Sequence, residues 1–314
     1  MRLATRGSPL ALLQARRVAD RLAAVAGAPS IDTVVVRTTG DIRAEEPLSR
    51  IGGQGAFVKE VQTAVLHGRA DLAVHSAKDL PSLTPAGLVL ACVPERADPR
   101  DALVGARLDD LPPGAVVATG SVRRRAQLAW LRPDLSFVEL RGNMQTRLER
   151  ANAVGAGVLA LAALHRLGLS GHVAEALDPG LVMPQVAQGA LAVECRADDE
   201  QALAWLAAID DVDAHRAVDA ERAFLAAFGA GCTVPLGALA AVTSGGGVSV
   251  RGMLARADGG VVLHAAADGD DPHEVGTRLA SLLLDDAGGR DLAPWSLQEV
   301  EPVDAGRPSP TARA

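Results

Sequence analysis

The chain has 314 residues, a length that allows two or three domains with separate hydrophobic cores. Hydrophobic residues make up 48% of it, which predicts a globular protein, and a net charge of −7 argues against a nucleic-acid binder that works by bulk attraction. No apolar run reaches the roughly 20 residues of a membrane span, and Met1 leads directly into structured-looking sequence, so we expect neither a membrane segment nor a signal peptide. The three scattered cysteines include no CxxC pair, which favours a reducing cytoplasm over a disulfide framework.

The first two-thirds of the chain alternates short apolar runs with helical patterns, which predicts an α/β fold with mostly parallel strands. The first predicted helix has the clearest beginning, because Ser8 is a good N-cap and Pro9 fits the first helical position. The predicted strands are Leu3–Thr5, Thr33–Arg37, Leu72–His75, Leu88–Val93, Val116–Thr119, Ser136–Leu140, Val158–Leu161 and Ala190–Glu194. The predicted helices are Pro9–Ala24, Phe57–His67, Val122–Leu131 and Asn143–Ala153.

The stretch Pro94–Pro99 begins and ends with proline and predicts a crossing between domains. A second, helix-rich unit begins near Asp211 and is predicted to form a small α+β domain. Its predicted elements are the helix Ala214–Phe228, the strands Leu236–Val242, Val248–Leu254 and Val261–Ala265, and a helix around His273–Leu284. The tail after Glu301 is rich in Pro, Ser and Ala, so we expect it to be disordered.

Three polar clusters fall where a predicted strand opens into a helix: Thr5–Ser8, Thr119–Arg124, and Leu140–Asn143 with Arg147. Ligands of open α/β sheets bind at such places, where helix N-termini offer free N–H groups to anions. Arginine at all three junctions predicts a site suited to carboxylates. Any single arginine could equally face solvent, and at least one of the consecutive Arg123–Arg125 must do so.

The segment Val74–Pro81 follows a buried-looking strand and places Asp79 beside Lys78, one of only two lysines in the chain. The other is Lys59, and arginine has replaced lysine almost everywhere else, so a retained lysine indicates a need for a compact, titratable ammonium. Asp79 could act as a general acid or shield a cationic intermediate while Lys78 holds an anionic group. The alternative is a solvated turn with a local ion pair.

The glycines of Ile51–Gly55, together with the charged segment Ile42–Arg50, predict a mobile lid before the helix that carries Phe57. They do not form a phosphate loop, because no Gly-Lys-Ser/Thr sequence follows. The seven histidines are dispersed without paired-ligand spacing, so no metal site is predicted.

Cys232 lies in Gly229–Pro235, just past a predicted helix C-terminus, and neighbouring glycines would let a group approach its sulfur closely. The negative end of a helix dipole disfavours a thiolate, so a permanent attachment point fits this place better than an activated nucleophile does. The alternative is an inert loop cysteine.

Taken together, these residues resemble the porphobilinogen deaminase family, whose members are also called hydroxymethylbilane synthases. The matching motifs are collinear over about the first 240 residues. They are Arg2–Leu12, Ile51–Glu60, Ala73–Leu80, Ala118–Leu128, Leu140–Leu148, His165–Leu169, Pro184–Arg196 and Ala220–Gly237.

The resemblance implies an α/β fold with two doubly wound domains like the halves of a periplasmic binding protein, and a small α+β C-terminal domain. It divides the chain into residues 1–95 with 190–210, residues 96–189, and residues 211–314. It also implies the reaction, in which four porphobilinogen units are joined in turn on a dipyrromethane cofactor, ammonia leaves at each addition, and hydroxymethylbilane is released by hydrolysis. The expected partner is porphobilinogen, with no nucleic acid or membrane, and the expected state is a monomer.

The resemblance implies residue roles as well: Cys232 carries the cofactor in a thioether, and Asp79 is the catalytic carboxylate. The expected cofactor-binding residues are Ser76, Lys78, Asp79, Asp41, Ser121, Arg123, Arg124 and Arg147. The expected substrate-binding residues are Arg6, Ser8, Phe57, Arg141, Arg147, Arg166 and Gln188.

The chain departs from the family pattern at three positions: Gln54 stands where many members have lysine, Gly120 replaces a serine, and Ala187 replaces a glycine. These departures leave loop contacts and local hydrogen bonds open.

Two other functions compete with the deaminase. A two-domain receptor for an anionic metabolite would explain the arginines but would give Cys232 no role. An acyl- or phosphoryl-transfer enzyme with a cysteine nucleophile would need a Cys–His–acid spacing or a phosphate loop, and neither is present.

Overall fold

The computed structural model describes residues 1–42, 53–229 and 234–292, and the α-helices and β-strands of these ranges are as follows. The strands are β1 (Arg2–Arg6), β2 (Asp32–Val36), β3 (Leu72–Ser76), β4 (Leu88–Cys92), β5 (Asp101–Val104), β6 (Val116–Ala118), β7 (Ser136–Val138), β8 (Gly157–Ala160), β9 (Val173–Ala176), β10 (Leu191–Arg196), β11 (Leu236–Val242), β12 (Val248–Ala255) and β13 (Val262–Gly269). The helices are α1 (Pro9–Ala23), α2 (Thr39–Ile42), α3 (Lys59–Leu66), α4 (Val122–Leu131), α5 (Met144–Val154), α6 (Leu161–Arg166), α7 (Glu200–Ala207), α8 (Val212–Ala227) and α9 (Pro272–Ser281).

The first unit is a five-stranded sheet in the order β2-β1-β3-β10-β4. Side chains of a strand alternate between the two faces of a sheet, and both faces are covered. Leu3 belongs to a buried cluster with Val18 of α1 and Leu206 of α7, whereas its neighbour Ala4 belongs to a cluster with Val61 of α3. Because both faces are buried, the strands of this unit are apolar along most of their length.

The second unit repeats this plan in the order β7-β6-β8-β5-β9. The chain enters it from β4 to β5 and returns to the first sheet from β9 to β10. β5 and β10, the first strands after each crossing, run antiparallel to both of their neighbours. The prediction of mostly parallel strands is therefore wrong for half of the pairings, because a strand that arrives from the other unit needs no helical crossover to reach its place.

The sequence prediction missed β5 and β9 entirely. β5 has only four residues and begins with Asp101, and β9 contains Glu175 and is only partly buried, so neither presents a clear apolar run. The strand and helix bounds predicted at Val122–Leu131 and Leu236–Val242 agree with the structure.

The third unit is the antiparallel sheet β11-β12-β13 with α8 and α9 packed on it. The two helices approach closely because α9 has a glycine at the contact: a Cβ on Gly276 would lie 2.1 Å from the carbonyl oxygen of Ala220. The third unit also contacts both others. Its core includes Leu80 of the first unit, and Met253 of β12 shares a smaller buried cluster with Ala126 of α4.

The predicted fold class is confirmed, since two units of sheet and helix are followed by a small C-terminal α+β unit. Over the described ranges, no helix combines the length and the apolar character that crossing a membrane would require. The expected disorder after Glu301 concerns residues outside these ranges.

Candidate active site

Lys78 and Asp79 lie on a one-turn helix, Ala77–Asp79, that begins where β3 ends. β3 is the central strand of the first sheet, and the turn is fixed on two sides. The Ala77 amide donates to the carbonyl oxygen of Ala190 at 3.0 Å, and Ser76 Oγ hydrogen-bonds with the side-chain amide of Gln14 on α1 at 2.9 Å. The backbone of the turn is therefore held in place, and Lys78 and Asp79 are half-buried.

Lys78 occupies a strongly cationic environment. Its Nζ donates to Gln188 Oε1 at 3.2 Å. Burial, followed by the positive charge of Arg124, lowers the pKa of Lys78 to about 8, although Asp79 and Asp101 favour the charged form. An arginine at this place could not titrate near neutral pH, so the structure gives a physical reason for the retained lysine.

Arg123 and Arg124 extend from the first turn of α4 to one buried carboxylate, Asp101 at the start of β5. Arg123 Nη2 lies 2.7 Å from Asp101 Oδ2, and Arg124 donates to Oδ1 from Nε at 3.0 Å and from Nη2 at 2.7 Å. Ser121 caps the helix, with its Oγ accepting from the Arg124 amide at 3.4 Å. The next residue, Arg125, points elsewhere and lies over the Phe137 ring. Consecutive residues point in different directions around a helix, so Arg123 and Arg124 reach Asp101 whereas Arg125 does not.

Arg147 and Arg141 come from the following strand-to-helix junction. Arg147 Nε donates to the carbonyl oxygen of Gly142 at 2.8 Å, and Arg141 Nε pairs with Glu139 at 2.6 Å. Desolvation and then the charge of Arg124 lower the pKa of Arg147, whereas Asp79 acts in the opposite direction. Arg147 of the second unit is thus electrostatically coupled to Asp79 of the first.

Arg6, Asp41 and Phe57 form a separate group on the first unit. The Arg6 guanidinium lies 4.2 Å above the centre of the Phe57 ring, and its Nε donates to Asp41 Oδ1 at 3.2 Å. Hydrogen bonds from Arg6 and Thr38 hold the pKa of Asp41 below its usual value even though burial raises it. The 3-10 turn Gly53–Phe57 contacts the turn that carries Asp79, so this group borders the Lys78–Asp79 turn.

Two other expected substrate-binding residues have structural partners. Ser8 Oγ accepts from the Ala11 amide at 3.3 Å and caps α1. Arg166 Nη2 donates to Glu95 Oε1 at 3.2 Å and to the carbonyl oxygen of Gly189 at 2.7 Å, so it joins the two crossings between the first and second units. Glu95 also pairs with Arg17 and Arg21 of α1.

Cys232 lies outside the described residues, but the chain on either side of it is placed. Gly229 follows α8, and Val234 belongs to the same buried cluster as Ala77 and Leu80. A Cβ on Gly237, at the start of β11, would lie 3.1 Å from Cδ of Arg123. The chain after the predicted attachment point therefore returns beside the Lys78–Asp79 turn and α4.

Two departures from the family pattern have structural explanations, while the side chain of Gln54 is outside the described residues. A Cβ on Gly120 would lie only 2.7 Å from the carbonyl oxygen of Leu140, so a serine there would require the segment just after β7 to move. Ala187 adopts a left-handed conformation with a φ of +58°, which glycine adopts without strain.

We call the following side chains the cationic cluster: Lys78, Arg123, Arg124, Arg141 and Arg147, with the carboxylates Asp79, Asp101 and Glu139. This described set holds five cations and three carboxylates, so it carries two more positive charges than negative ones, and Arg123 and Arg124 share the single carboxylate of Asp101. In addition, Nε of Arg123 is buried without a hydrogen-bond acceptor. Such a cluster is suited to a ligand that brings several carboxylates, as a dipyrromethane with its acetate and propionate side chains does. The sequence prediction had missed Asp101, which no motif or apolar pattern marked.

Comparison with known proteins agrees with this chemistry. A sequence model described as "Porphobilinogen deaminase, dipyromethane cofactor binding domain" matches residues 1–204, and one described as "Porphobilinogen deaminase, C-terminal domain" matches residues 215–285. The porphobilinogen deaminase of Roseiflexus sp. (strain RS-1) is 48% identical over 92% of this chain and 97% of that protein. That of Bacillus subtilis (strain 168) is 40% identical over 96% of this chain and 98% of that protein.

Among solved structures, a TRAP periplasmic solute binding protein from Desulfovibrio salexigens matches with a TM-score of 0.39 and 13% identity, over 68% of this chain and 72% of that one. That likeness is too remote to bear on function. The sequence relationships are close and span nearly the whole chain, and they confirm the resemblance found in the motifs. The chain belongs to the porphobilinogen deaminase family, transferases with a dipyrromethane cofactor.

Proposed function

We propose that this chain joins four porphobilinogen units head to tail on a dipyrromethane held by Cys232, and then releases hydroxymethylbilane by hydrolysis. Each addition forms one carbon–carbon bond and releases one ammonia. The observation that carries the proposal is the cationic cluster around Asp79, in which positive charges outnumber negative ones by two. A pyrrole chain that gains two carboxylates with every unit is a ligand that such a cluster can bind.

Lys78, Arg123, Arg124 and Arg147 are the residues that would hold the cofactor's carboxylates, with Ser76, Ser121 and Asp41 at the edges. When bound, the dipyrromethane supplies a nucleophilic pyrrole carbon. Arg6, Arg141 and Arg166 would bind substrate carboxylates, and Ser8 and Phe57 would line the same surface. Gln188 is buried behind it and would act through its contact with Lys78. Charge-assisted hydrogen bonds of this kind contribute about 1.5–3 kcal/mol each before desolvation is counted.

Asp79 is the proposed catalytic residue. Porphobilinogen that has lost ammonia is a cation, and a fixed carboxylate beside it lowers its energy. The same carboxylate can accept the proton that the pyrrole carbon loses after the new bond has formed. The turn that carries Asp79 is anchored through Ala77 and Ser76, so the carboxylate stays at one place while the arginines bind different units.

The organisation of the chain is also proposed. Residues 1–95 with 190–210, residues 96–189 and residues 211–314 would be the three domains, and the enzyme would act as a monomer in the cytoplasm without nucleic acid. The exchange of the chain between two sheets at β5 and β10 supports the division. Cys92 and Cys195 are both buried free thiols, which supports a reducing compartment.

The direct test is the intact mass of the purified chain beside that of Cys232→Ala. We expect an excess equal to two linked pyrroles in the natural chain and none in the variant. If the natural chain has the bare mass, incubation with porphobilinogen should add the excess. A chain that stays bare after incubation would contradict the proposal and would favour a binding protein for an anionic metabolite.

A second test removes the charge of Asp79 with little change in shape. Asp79→Asn should keep the fold and the cofactor but lose about 10²–10⁴-fold of turnover, as expected when a general acid–base group is removed. Hydroxymethylbilane formation measures the loss, and circular dichroism checks the fold. Asp258→Asn is the matched control, because Asp258 pairs only with surface groups at an exposed turn of the third unit. Turnover of Asp79→Asn equal to that of the control would exclude the role.

A further inference from the structure

Asp101 is a fully buried carboxylate that meets four N–H donors. Its Oδ2 accepts from Arg123, and its Oδ1 accepts from Nε and Nη2 of Arg124 and from Gln188 Nε2 at 2.8 Å. The side chain has no exposed surface, and these four donors satisfy it. Asp101 is thus the shared anchor of two arginines of the second unit and of an amide in the return crossing.

The contacts of Gln188 fix the direction of its amide. The NH₂ group faces two acceptors, Asp101 Oδ1 and the carbonyl oxygen of Pro99, each at 2.8 Å. Its oxygen therefore faces Lys78 Nζ at 3.2 Å. The flipped amide would set an oxygen against two oxygens and an NH₂ group against an ammonium, and both arrangements are repulsive. A carboxylate of the second unit thereby determines which atom Lys78 of the first unit meets.

The charge of Asp101 also acts on Lys78 directly, because it favours the ammonium form. The charged groups that face it are Arg123 and Arg124 of α4, Asp101 of β5 and Asp79 of its own turn. The arginines and burial favour the neutral amine, whereas the two carboxylates favour the ammonium. Because its pKa is only about 8, the ammonium depends on Asp101 more than an exposed lysine would.

We propose that Asp101 is a positioning residue: it orients Arg123 and Arg124 directly, and through Gln188 it holds Lys78 as an ammonium beside Asp79. Because Asp101 is fully buried, it would act without touching substrate. The inference rests on the proposed function for its meaning in catalysis, but its physical content concerns Lys78 and can be measured without turnover.

The test uses the fact that the chain has only two lysines. Competitive amine labelling across a pH series, read by peptide mass spectrometry, gives the pKa of Lys78, and the exposed Lys59 in the same molecule is the internal reference. We expect Asp101→Asn to lower the pKa of Lys78 by about one unit, as the loss of a nearby opposite charge does. The measurement is made on the full chain as purified, and again in a Cys232→Ser background that cannot carry a thioether-linked cofactor.

Gln188→Met is the second variant, in case Asp101→Asn folds poorly. It removes the acceptor of Lys78 and leaves the pairs of Asp101 with both arginines in place. It too should lower the pKa of Lys78, because an ammonium without its hydrogen-bond acceptor is less stable. The control Asp258→Asn changes an exposed pair of the third unit and should leave Lys78 unchanged.

Turnover gives an independent readout. If Lys78 must be charged, the activity of Asp101→Asn relative to the natural chain should fall about sixfold between pH 6.5 and pH 8.5, as follows from a one-unit fall from a pKa near 8. An unchanged pKa of Lys78 in folded Asp101→Asn or Gln188→Met would overturn the inference. If the pKa of Lys78 falls in the variants but the natural chain makes no hydroxymethylbilane, the result would support the positioning role and count against the proposed function.

Discussion

Lys78 and Arg147 are both held among other cations, and desolvation lowers the pKa of each. Without a ligand this arrangement is electrostatically unfavourable, and carboxylates that enter it relieve the repulsion. Arg123 and Arg124 differ, because Asp101 already neutralises part of their charge. At the scale of single residues, the cations of the site therefore differ in how far a carboxylate already neutralises their charge. Lys78 is the one that titrates closest to neutral pH.

The titration of Lys78 predicts how cofactor loading depends on pH. Its ammonium is present below about pH 8 and is lost as the pH rises through that value, so anion binding should weaken there. We expect the rate of cofactor loading of the apoprotein, divided by the rate for Lys78→Arg, to fall about tenfold between pH 7 and pH 9. Intact mass measures both rates. The arginine variant keeps its charge, so the ratio removes the effect of thiol ionisation, and a constant ratio would contradict the role.

The left-handed conformation of Ala187 predicts an unusual response to glycine. Ala187→Gly loses a buried methyl group but relieves backbone strain of about 1–2 kcal/mol. Ala192 of β10 is equally buried and has no positive φ, so Ala192→Gly is the matched control. Urea unfolding should show that the glycine at 187 costs about 1–2 kcal/mol less than the glycine at 192. Equal costs would mean that the strain at Ala187 is negligible.

At the scale of secondary-structure elements, the site is built where strands end and helices begin. α4 brings two arginines to Asp101, and α5 brings Arg147 toward Asp79. Both helices begin with a side-chain cap, Ser121 and Asn143, which satisfies a free N–H group and sets the angle at which the first turn leaves the sheet. The positive end of each helix dipole adds to the attraction for carboxylates.

A cap deletion separates this local role from general stability. Asn143 Oδ1 accepts from the Thr146 amide at 3.0 Å, and Asp271 Oδ1 caps α9 of the third unit in the same way at 2.9 Å. Asn143→Ala and Asp271→Ala should each cost about 1 kcal/mol of unfolding free energy. Only Asn143→Ala should also raise KM for porphobilinogen, because α5 carries Arg147. Equal KM values for the two variants would mean that this cap does not serve the site.

At the scale of the whole molecule, the three units meet at Glu221 of α8. Its buried carboxylate accepts from Arg96 in the first crossing at 2.7 Å, from the Ala187 amide in the return crossing at 2.5 Å, and from the Ala240 amide of β11 at 2.7 Å. The neighbouring Arg222 donates to the carbonyl oxygen of Pro81, just after the turn of Asp79. The unit that carries the predicted cofactor loop is thus tied to both crossings and to the Lys78–Asp79 turn.

The junction predicts a large effect for a small change. Glu221→Gln removes the charge opposite Arg96 and presents an NH₂ group to N–H donors, so we expect a loss of about 3–5 kcal/mol, as for other broken buried pairs. Urea unfolding measures the loss. Asp258→Asn breaks an exposed pair and should change stability little. A similarly small effect at Glu221 would show that the junction is not important for holding the units together.

The features that the sequence alone determined are local ones. The bounds of α4 and β11, the cap at Ser8, and the polar junctions after the strands follow from periodicity and capping within a few residues. The matching motifs added the family, because they run through most of the chain in order, and with it the expected catalytic role of Asp79, which stays a prediction.

The tertiary structure alone decided which residues meet. Gln14 and Ser76 are 62 positions apart, and Glu221 and Arg96 are still farther apart, so no local signal marked these contacts. Asp101 lies in β5, which presents no clear apolar run. The antiparallel directions of β5 and β10 depend on the crossings between sheets in the same way. A side chain's type and its local conformation are set by its neighbours in sequence, but its partner, its burial and therefore its pKa are set by chain segments that only folding brings together.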